Sequence, residues 1–408
     1  MSETVFTYAA PSLKFGTGAS GEIGHDLLGY AARRVLLVTD PGVAATGHPA
    51  RIAEQVAAHG IEVTTYDGVR IEPTDESLDA AVAFARDAGP FDAVVAVGGG
   101  SSIDTAKAVN LLTTNPGELL DYVNAPVGRA QAPTQPLLPL VAVPTTTGTG
   151  SESTTICVLD VLALHVKTGI SHPALRPTLA VVDPTLTLTQ PAHVTAAAGM
   201  DILCHALESW TARWFADFPA KRPEERVPYC GANPIADLWA ERALTLLAGV
   251  FRRAVADGDD LAAREQMAMA ATFAGLGFGN AGVHIPHANA YPIAGRAAEL
   301  VPHGTAVSMT APAAFRFTFD ADPDRHVRAA RLLDPSVAAG PEALPTALTA
   351  LMRDIGMPNG LAAVGFAEAD VDALVAGAVQ QQRLLATAPK SPTDEDLASV
   401  FRGSMEHW

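Results

Sequence analysis

The chain changes its periodicity once, and that change limits its fold more than any other feature. Up to Asp183-Pro184, short apolar runs such as Arg34–Thr39 (RVLLVT), Asp92–Val97 (DAVVAV) and Leu138–Val143 (LPLVAV) alternate with amphipathic stretches such as Leu78–Ala88. Runs that are apolar throughout fit parallel strands buried on both faces. Their alternation with helical segments predicts an α/β sheet with ligands at the strands' carboxyl ends. After that dipeptide come long Ala- and Leu-rich stretches: Pro234–Ala256, Leu261–Leu276, Pro345–Ile355 and Glu368–Ala378. β-branched runs become scarce, which predicts an all-helical domain over about the last 220 residues.

At 408 residues the chain exceeds the size at which single cores stop growing. Two domains are therefore expected, divided as residues 1–188 and 189–408. Pro191 closes the connection between them, and the Pro-rich, polar segment Ala216–Asn233 reads as a surface loop. A net charge of −17 argues against nucleic-acid and anionic-membrane partners, which need clustered Lys and Arg. It leaves room for a small anionic substrate held by a few local cations. No run approaches the roughly 20 apolar residues of a membrane span. Three scattered cysteines without CxxC spacing suit a reducing compartment. The start MSETVFTYAAPSLKFG has no basic region followed by an apolar one, so a cytoplasmic location is expected.

The run VVAVGGGSSIDTAK, Val94 to Lys107, is the first chemically informative segment. A strand ends at Val97, then Gly98, Gly99 and Gly100 turn the chain, and Ser101 stands where a helix N-cap would. Asp104 follows at a capping-box spacing. Glycines let backbone approach a ligand, and free N–H groups at a helix start favour an anion such as a pyrophosphate. The pattern differs from GxGxxG, so the usual dinucleotide inference does not transfer directly. A second polar loop, Pro144–Glu152 (PTTTGTGSE), suits contacts to a nicotinamide or its ribose, and an ordinary hydroxyl-rich turn would look the same. Asp40 ends its strand, where it could bond an adenosine ribose and repel a 2′-phosphate, favouring NAD over NADP. A helix cap would also explain it.

The metal-type residues lie in the second half. In GMDILCHALES, Asp201 and His205 stand four apart, on one face of a helix about a turn from each other. VHIPHANAYPIAG (Val283–Gly295) and VPHGTA (Val301–Ala306) add further imidazoles. One carboxylate with several imidazoles suits Fe²⁺, Zn²⁺, Co²⁺ or Mn²⁺. Spacing alone does not choose between His284 and His287.

Taken together and in this order, GGGSSIDTAK, PTTTGTGSE, GMDILCHALES and the His-rich segment resemble the iron-containing alcohol dehydrogenases over nearly the whole chain. The resemblance implies an N-terminal α/β nucleotide-binding domain and an all-α metal-binding domain, with metal and cofactor in a cleft between. It implies NAD(H), a divalent ion (Fe²⁺ first, Zn²⁺ second) and a homodimer. Its ligands fall on Asp201, His205, His287 and His303. His287 is chosen because the ligand His stands five residues before a Pro, here Pro292. Tyr291 occupies the place of a second His that many members keep near the nicotinamide, and is a further catalytic candidate. The implied cofactor contacts are Asp40, Gly98, Gly99, Gly100, Ser101, Ser102, Asp104, Thr145, Thr146, Thr149, Lys167 and Leu186.

Within the family, GFGNAGVHIPHANAYPIAG, LVPHG, YCGANPIADLWA and GLAAVGF look like the hydroxyacid-oxoacid transhydrogenase branch, which acts on 4-hydroxybutyrate and 2-oxoglutarate. The stretch from Gly295 to Val301 is shorter than in the animal enzymes. The expected function is hydride transfer between NAD(H) and a small alcohol or aldehyde bearing an anionic group. Arg296 and Arg383 are candidates for its carboxylate, though each also reads as an ordinary surface arginine. The alternatives are a plain NAD(H)-dependent alcohol dehydrogenase or aldehyde reductase, phosphonate aldehydes included, and a dehydroquinate synthase-like lyase. The lyase would need a more basic pocket than this chain can line.

Overall fold

The computed structural model describes residues 2–164 and 166–408. They form two compact units, one of Ala10–Gln190 and one of the residues up to Ala9 together with Pro191–Trp408.

The first unit is α/β. Its strands are β1 (Ser12–Phe15), β2 (Arg34–Val38), β3 (Glu62–Tyr66), β4 (Ala93–Gly98), β5 (Leu140–Pro144), β6 (Ile156–Val161), β7 (Val166–Ser171) and β8 (Leu179–Val182). Six of them make a parallel sheet in the order β1-β8-β5-β4-β2-β3, while β6 and β7 form an antiparallel pair. Between strands run α1 (Ile23–Gly29), α2 (Pro41–Ala44), α3 (His48–Ala57), α4 (Asp75–Ala88), α5 (Gly100–Thr114) and α6 (Leu119–Tyr122). Alternate residues of the central strands feed two apolar clusters, such as Leu36, Val94 and Ala142 in one and Val35, Val95 and Val141 in the other. This two-sided burial explains why those strands read as uniformly apolar. The register pairs Val38 with Ala96 and Gly98 with Pro144. The turns after β2, β4 and β5 are thereby held level at one edge of the sheet.

The second unit is helical: α7 (Ala192–Thr211), α8 (Pro234–Ala256), α9 (Leu261–Ala281), α10 (Ile285–Arg296), α11 (His303–Thr318), α12 (Pro323–Leu333), α13 (Ala343–Asp354), α14 (Val371–Val379), α15 (Gln382–Leu385) and α16 (Asp394–Arg402). Caps set the long helices. Asn233 accepts from Ile235 and Ala236 N–H with Pro234 at the first position, and Asp260 accepts from Ala263 N–H. Gly282, at φ 94°, ends α9. Helix α7 is buried along almost its whole length from Thr195 to Thr211, so its apolar and polar residues alike face protein. Small residues let its neighbours close in: a Cβ at Gly199 would strike Phe251, and one at Gly304 would lie 2.0 Å from the Ala197 carbonyl.

Two expectations need correction. The N-terminal residues up to Ala9 belong with the helical unit, which a single cut at 188/189 does not anticipate. Ser2 bridges Pro219, Glu3 pairs with Arg226, and Ala9 exchanges hydrogen bonds with Asn280. The segment Ala216–Asn233 is surface over residues 216–228, but Tyr229 and residues 231–233 turn inward and are buried. Among the described residues no helix is long and apolar enough to cross a membrane.

Candidate metal and nucleotide sites

Three helices bring the metal-type residues together. Asp201 and His205 sit one turn apart on α7, His287 lies in the first turn of α10, and His303 opens α11. The Nε2 atoms of His287, His205 and His303 lie 3.4, 3.7 and 3.8 Å from Asp201 Oδ1. Ligands on a tetrahedral ion with bonds of ~2.1 Å stand roughly 3.4 Å apart. The separations therefore suit one ion and are too long for hydrogen bonds. Asp201 Oδ1 and His287 Nε2 are buried with no hydrogen-bond partner among the described residues. Such orphans at a shared centre are what a metal satisfies. Asp201, His205 and His287 are buried, while His303 keeps 28% of its side chain exposed. The contact of Gly304 with Ala197, and with Asp201 Cβ at 2.9 Å from a notional Cβ, explains why His303 can come so close.

The electrostatics follow from the same packing. Burial pushes the His205 imidazole down to about 3, against the pull of Asp201, so the ring stays neutral as a ligand must. Burial alone would raise the Asp201 carboxyl, but His205, His303 and His287 hold it far below the usual range. His205 stacks on Phe278 with ring centroids 3.8 Å apart, which fixes its plane.

Sequence reasoning missed Glu208. It is fully buried; Oε1 bonds His287 Nδ1 at 2.6 Å, and Oε2 accepts the His284 amide at 2.6 Å. A carboxylate behind an imidazole orients the ring and turns its other nitrogen toward the ion. The signal was present, since Glu208 follows His205 by three and Asp201 by seven on α7, the same helical face. His284 is the imidazole left outside. Its Nε2 bonds Thr211 Oγ1 at 3.0 Å, and burial lowers it to about 4. Tyr291 lies one turn after His287 on α10 and is 8% exposed.

The glycine turn after β4 is built by close approach. Gly98 has φ 159°, and a Cβ there would sit 2.3 Å from Ser102 Oγ. A Cβ on Gly100 would meet Thr149 Cγ2 at 2.7 Å, and one on Gly99 would meet Thr146 Oγ1 at 3.1 Å. The two polar loops thus lie against each other, with the start of α5 free of any side-chain cap. Its first amides suit an anion. Thr145 and Thr147 carry buried hydroxyls without partners among the described residues at the same edge. Asp40 caps α2 through Val43 N–H at 2.9 Å and accepts from Ser102 Oγ at 3.1 Å.

Several residues sit differently from expectation. The cap of α5 is Gly99, because extended backbone there starts the helix at Gly100. Ser101 is then inside the helix, and its hydroxyl accepts from Glu72 N–H. Asp104 lies too far along α5 to reach the first amides; it accepts from Ser151 Oγ at 2.5 Å and Val158 N–H at 2.9 Å. Lys107, fully buried, donates to Ser151 O and Oγ, Thr154 Oγ1 and Ile156 O. The pair ties the second loop to α5. Lys167 lies in β7, with Glu72 and Asp160 at 2.7 and 2.8 Å. Leu186 is fully buried in one of the two apolar clusters of the sheet. Arg296 is exposed at the end of α10, and Arg383 is half-buried on α15.

Comparison with known proteins bears on both units. The family model for iron-containing alcohol dehydrogenase matches residues 10–184, and that for the Fe-containing alcohol dehydrogenase family, C-terminal, matches residues 225–405. The mitochondrial hydroxyacid-oxoacid transhydrogenases of Rattus norvegicus and Homo sapiens are each 44% identical over 98% of this chain and 90% of their own length. The crystal structure of 1,3-propanediol oxidoreductase superposes with a TM-score of 0.88 at 32% identity, covering 98% of this chain and 100% of that one. Sulfoacetaldehyde reductase from Bifidobacterium kashiwanohense, in complex with NAD⁺, gives 0.84 at 28% identity, with 98% of both chains covered. The chain belongs to the iron-containing alcohol dehydrogenase family and is an NAD-dependent, metal-dependent oxidoreductase.

Proposed function

We propose that the protein passes hydride between a short hydroxyacid and an oxoacid, with NAD(H) as the carrier. The observation that carries this is the 44% identity to hydroxyacid-oxoacid transhydrogenases over 98% of the chain. Asp201, His205, His287 and His303 hold one divalent ion, Fe²⁺ in this reading, which when bound acts as a Lewis acid on the substrate oxygen. Glu208 keeps the proton of His287 on Nδ1 and leaves Nε2 as a donor to the centre. Burial around His205 and Asp201 excludes water that would compete with the substrate hydroxyl. The uncapped start of α5, with Gly98, Gly99, Gly100, Ser101 and Ser102, takes the pyrophosphate. Thr145, Thr146 and Thr149 supply hydroxyls to the nicotinamide half, and Asp40 bonds the adenosine ribose. Asp104 and Lys167 act behind these contacts, and Leu186 supports the sheet beneath them. Tyr291, a turn beyond His287, lines the substrate pocket.

Three free cysteines suit a reducing compartment, the cytoplasm in this proposal, and a homodimer is the expected assembly. A second reading, free NAD(H)-dependent reduction of an anionic aldehyde, is favoured by the structural likeness to sulfoacetaldehyde reductase. One incubation separates them. Metal-loaded protein given 4-hydroxybutyrate and 2-oxoglutarate, with no added NAD, should form 2-hydroxyglutarate. Aldehyde reduction that needs stoichiometric NADH, without that exchange, would move the protein to the second reading.

A further inference from the structure

A hydroxyacid must be held at both ends if hydride is to leave one carbon, and the metal ligands account for one end only. The other holder has to be a cation not already neutralised. In a chain with 44 acidic and 27 basic residues such cations are scarce. Most arginines of the helical unit are committed: Arg325 grips Asp237, Arg316 holds Glu342, and Arg402 bonds Glu368. Arg383 is different. It is half-buried, and among the described residues no carboxylate pairs with it. Its guanidinium lies 4.8 Å over the ring of Tyr229 instead.

Short links fix that guanidinium relative to the metal centre. Thr387, at the end of the same turn, donates its hydroxyl to Val283 O at 2.6 Å, and its carbonyl accepts from Arg213 N–H at 2.8 Å, just after α7. Val283 precedes His284, whose amide bonds Glu208, which in turn holds His287. Helix α15 packs on α10, the helix of His287 and Tyr291. Tyr229 closes the corner against Gly282, where a Cβ would come within 3.0 Å of the ring. Burial pushes the Tyr229 phenol up to about 12, with Tyr291 and Glu208 adding to the shift against the pull of Arg383. The hydroxyl therefore stays a neutral donor at working pH. Arg296, the other candidate cation, is exposed at the end of α10.

We propose that Arg383 and Tyr229 form a carboxylate subsite beside the metal centre, taking the charged end of a short hydroxyacid or oxoacid. This rests on the hydroxyacid reading above. A guanidinium offers two parallel donors to a carboxylate, and stacking on a tyrosine presets its plane. The phenol adds a third donor.

The test uses the metal-loaded full chain with NAD⁺ and two alcohols, 4-hydroxybutyrate and 1-butanol. Arg383→Leu should lower the ratio of their kcat/KM values by about 100-fold, with the loss in KM. Arg383→Lys should restore about a tenth of it, since the charge returns without the fork. Butyrate, as an inhibitor of 1-butanol oxidation, should weaken at least about tenfold in Arg383→Leu. Tyr229→Phe carries the same readout at smaller amplitude should the leucine variant fail to fold. An unchanged ratio, or inhibition of the wild type by butyrate no stronger than by butyramide, would overturn the subsite. A collapsed ratio in a protein that shows no exchange without added NAD keeps the subsite and removes the transhydrogenase reading.

Discussion

The two units hold their candidate ligands by opposite means. In the helical unit the site is a set of side-chain atoms, three imidazole nitrogens within 3.8 Å of one carboxylate oxygen, with the His205 ring held by Phe278 and the His287 ring by Glu208. In the α/β unit it is chiefly missing side chains: Gly98, Gly99 and Gly100 leave the room in which Ser102, Thr146 and Thr149 approach the backbone. A site made of atoms is broken by deleting one. A site made of room is broken by adding one. The comparison predicts that truncation will matter most in the first unit and enlargement in the second, each without disturbing the other.

The largest effect should come from Asp201→Ala. Among the described residues Asp201 supplies the sole carboxylate at the centre, and the three imidazoles converge on its Oδ1. Lewis-acid assistance amounts to several kcal/mol, so kcat should fall by at least about 10³-fold. Metal analysis of the purified variant should find the ion lost, while NAD⁺ binding by fluorescence titration stays within about twofold of wild type. Full metal content would remove Asp201 from the ligand set. Next in size is Glu208→Gln, which keeps the shape but no longer offers His287 a carboxylate. Metal affinity should weaken by about 10–100-fold, read by competition with a chelator, as for other carboxylates behind a ligating His. An unchanged dissociation constant would make Glu208 merely a cap of α10 through the His284 amide.

Both sites were legible in the sequence to unequal depth, for the same reason that they differ physically. Helical spacing alone put Asp201 and His205 on one face, and strand periodicity located β2, β4 and β5 because they are buried on both sides. The outer strands β1 (SLKF) and β3 (EVTTY) carry polar and exposed positions, so no uniform apolar run marked them. Nor did any local pattern announce the β6–β7 hairpin, whose pairing is with itself rather than with the sheet. Family resemblance alone favours His287 over His284, because what tells them apart lies in the fold: α7 presents Glu208 to one ring and Thr211 to the other. Asp104 reads as a cofactor contact by resemblance, and Lys107 closes the same run. Their contacts with Ser151, Thr154, Ile156 and Val158 span more than forty positions of chain, beyond the reach of spacing arguments. The N-terminal strap up to Ala9 escaped for the same reason.

A smaller effect tests the room-built site. Gly100→Ala places a methyl 2.7 Å from Thr149 Cγ2, a contact that the threonine can relieve only by moving the second loop. NAD⁺ affinity should drop about tenfold, and metal content should stay at the wild-type level. Equal loss of metal and NAD⁺ would contradict the independence of the two units.

The smallest expected effect concerns the one side chain in the α/β site whose charge the proposal uses. Asp40 has two duties that can be separated. Its Oδ1 caps α2 through Val43 N–H at 2.9 Å, and its Oδ2 accepts from Ser102 Oγ at 3.1 Å. Asp40→Asn can keep an oxygen at the cap, where asparagine performs as well as aspartate, so the melting temperature should hold. What disappears is the negative charge that the proposed binding mode sets against a ribose 2′ position. The preference for NAD⁺ over NADP⁺, measured as the ratio of kcat/KM values, should then fall about fivefold, by weaker repulsion of the extra phosphate. Asp40→Ala should show the same loss of preference plus about 1 kcal/mol of instability from the missing cap. If neither variant moves the preference, Asp40 is a helix cap alone, and the α/β site discriminates cofactors through backbone and glycine geometry with no help from charge.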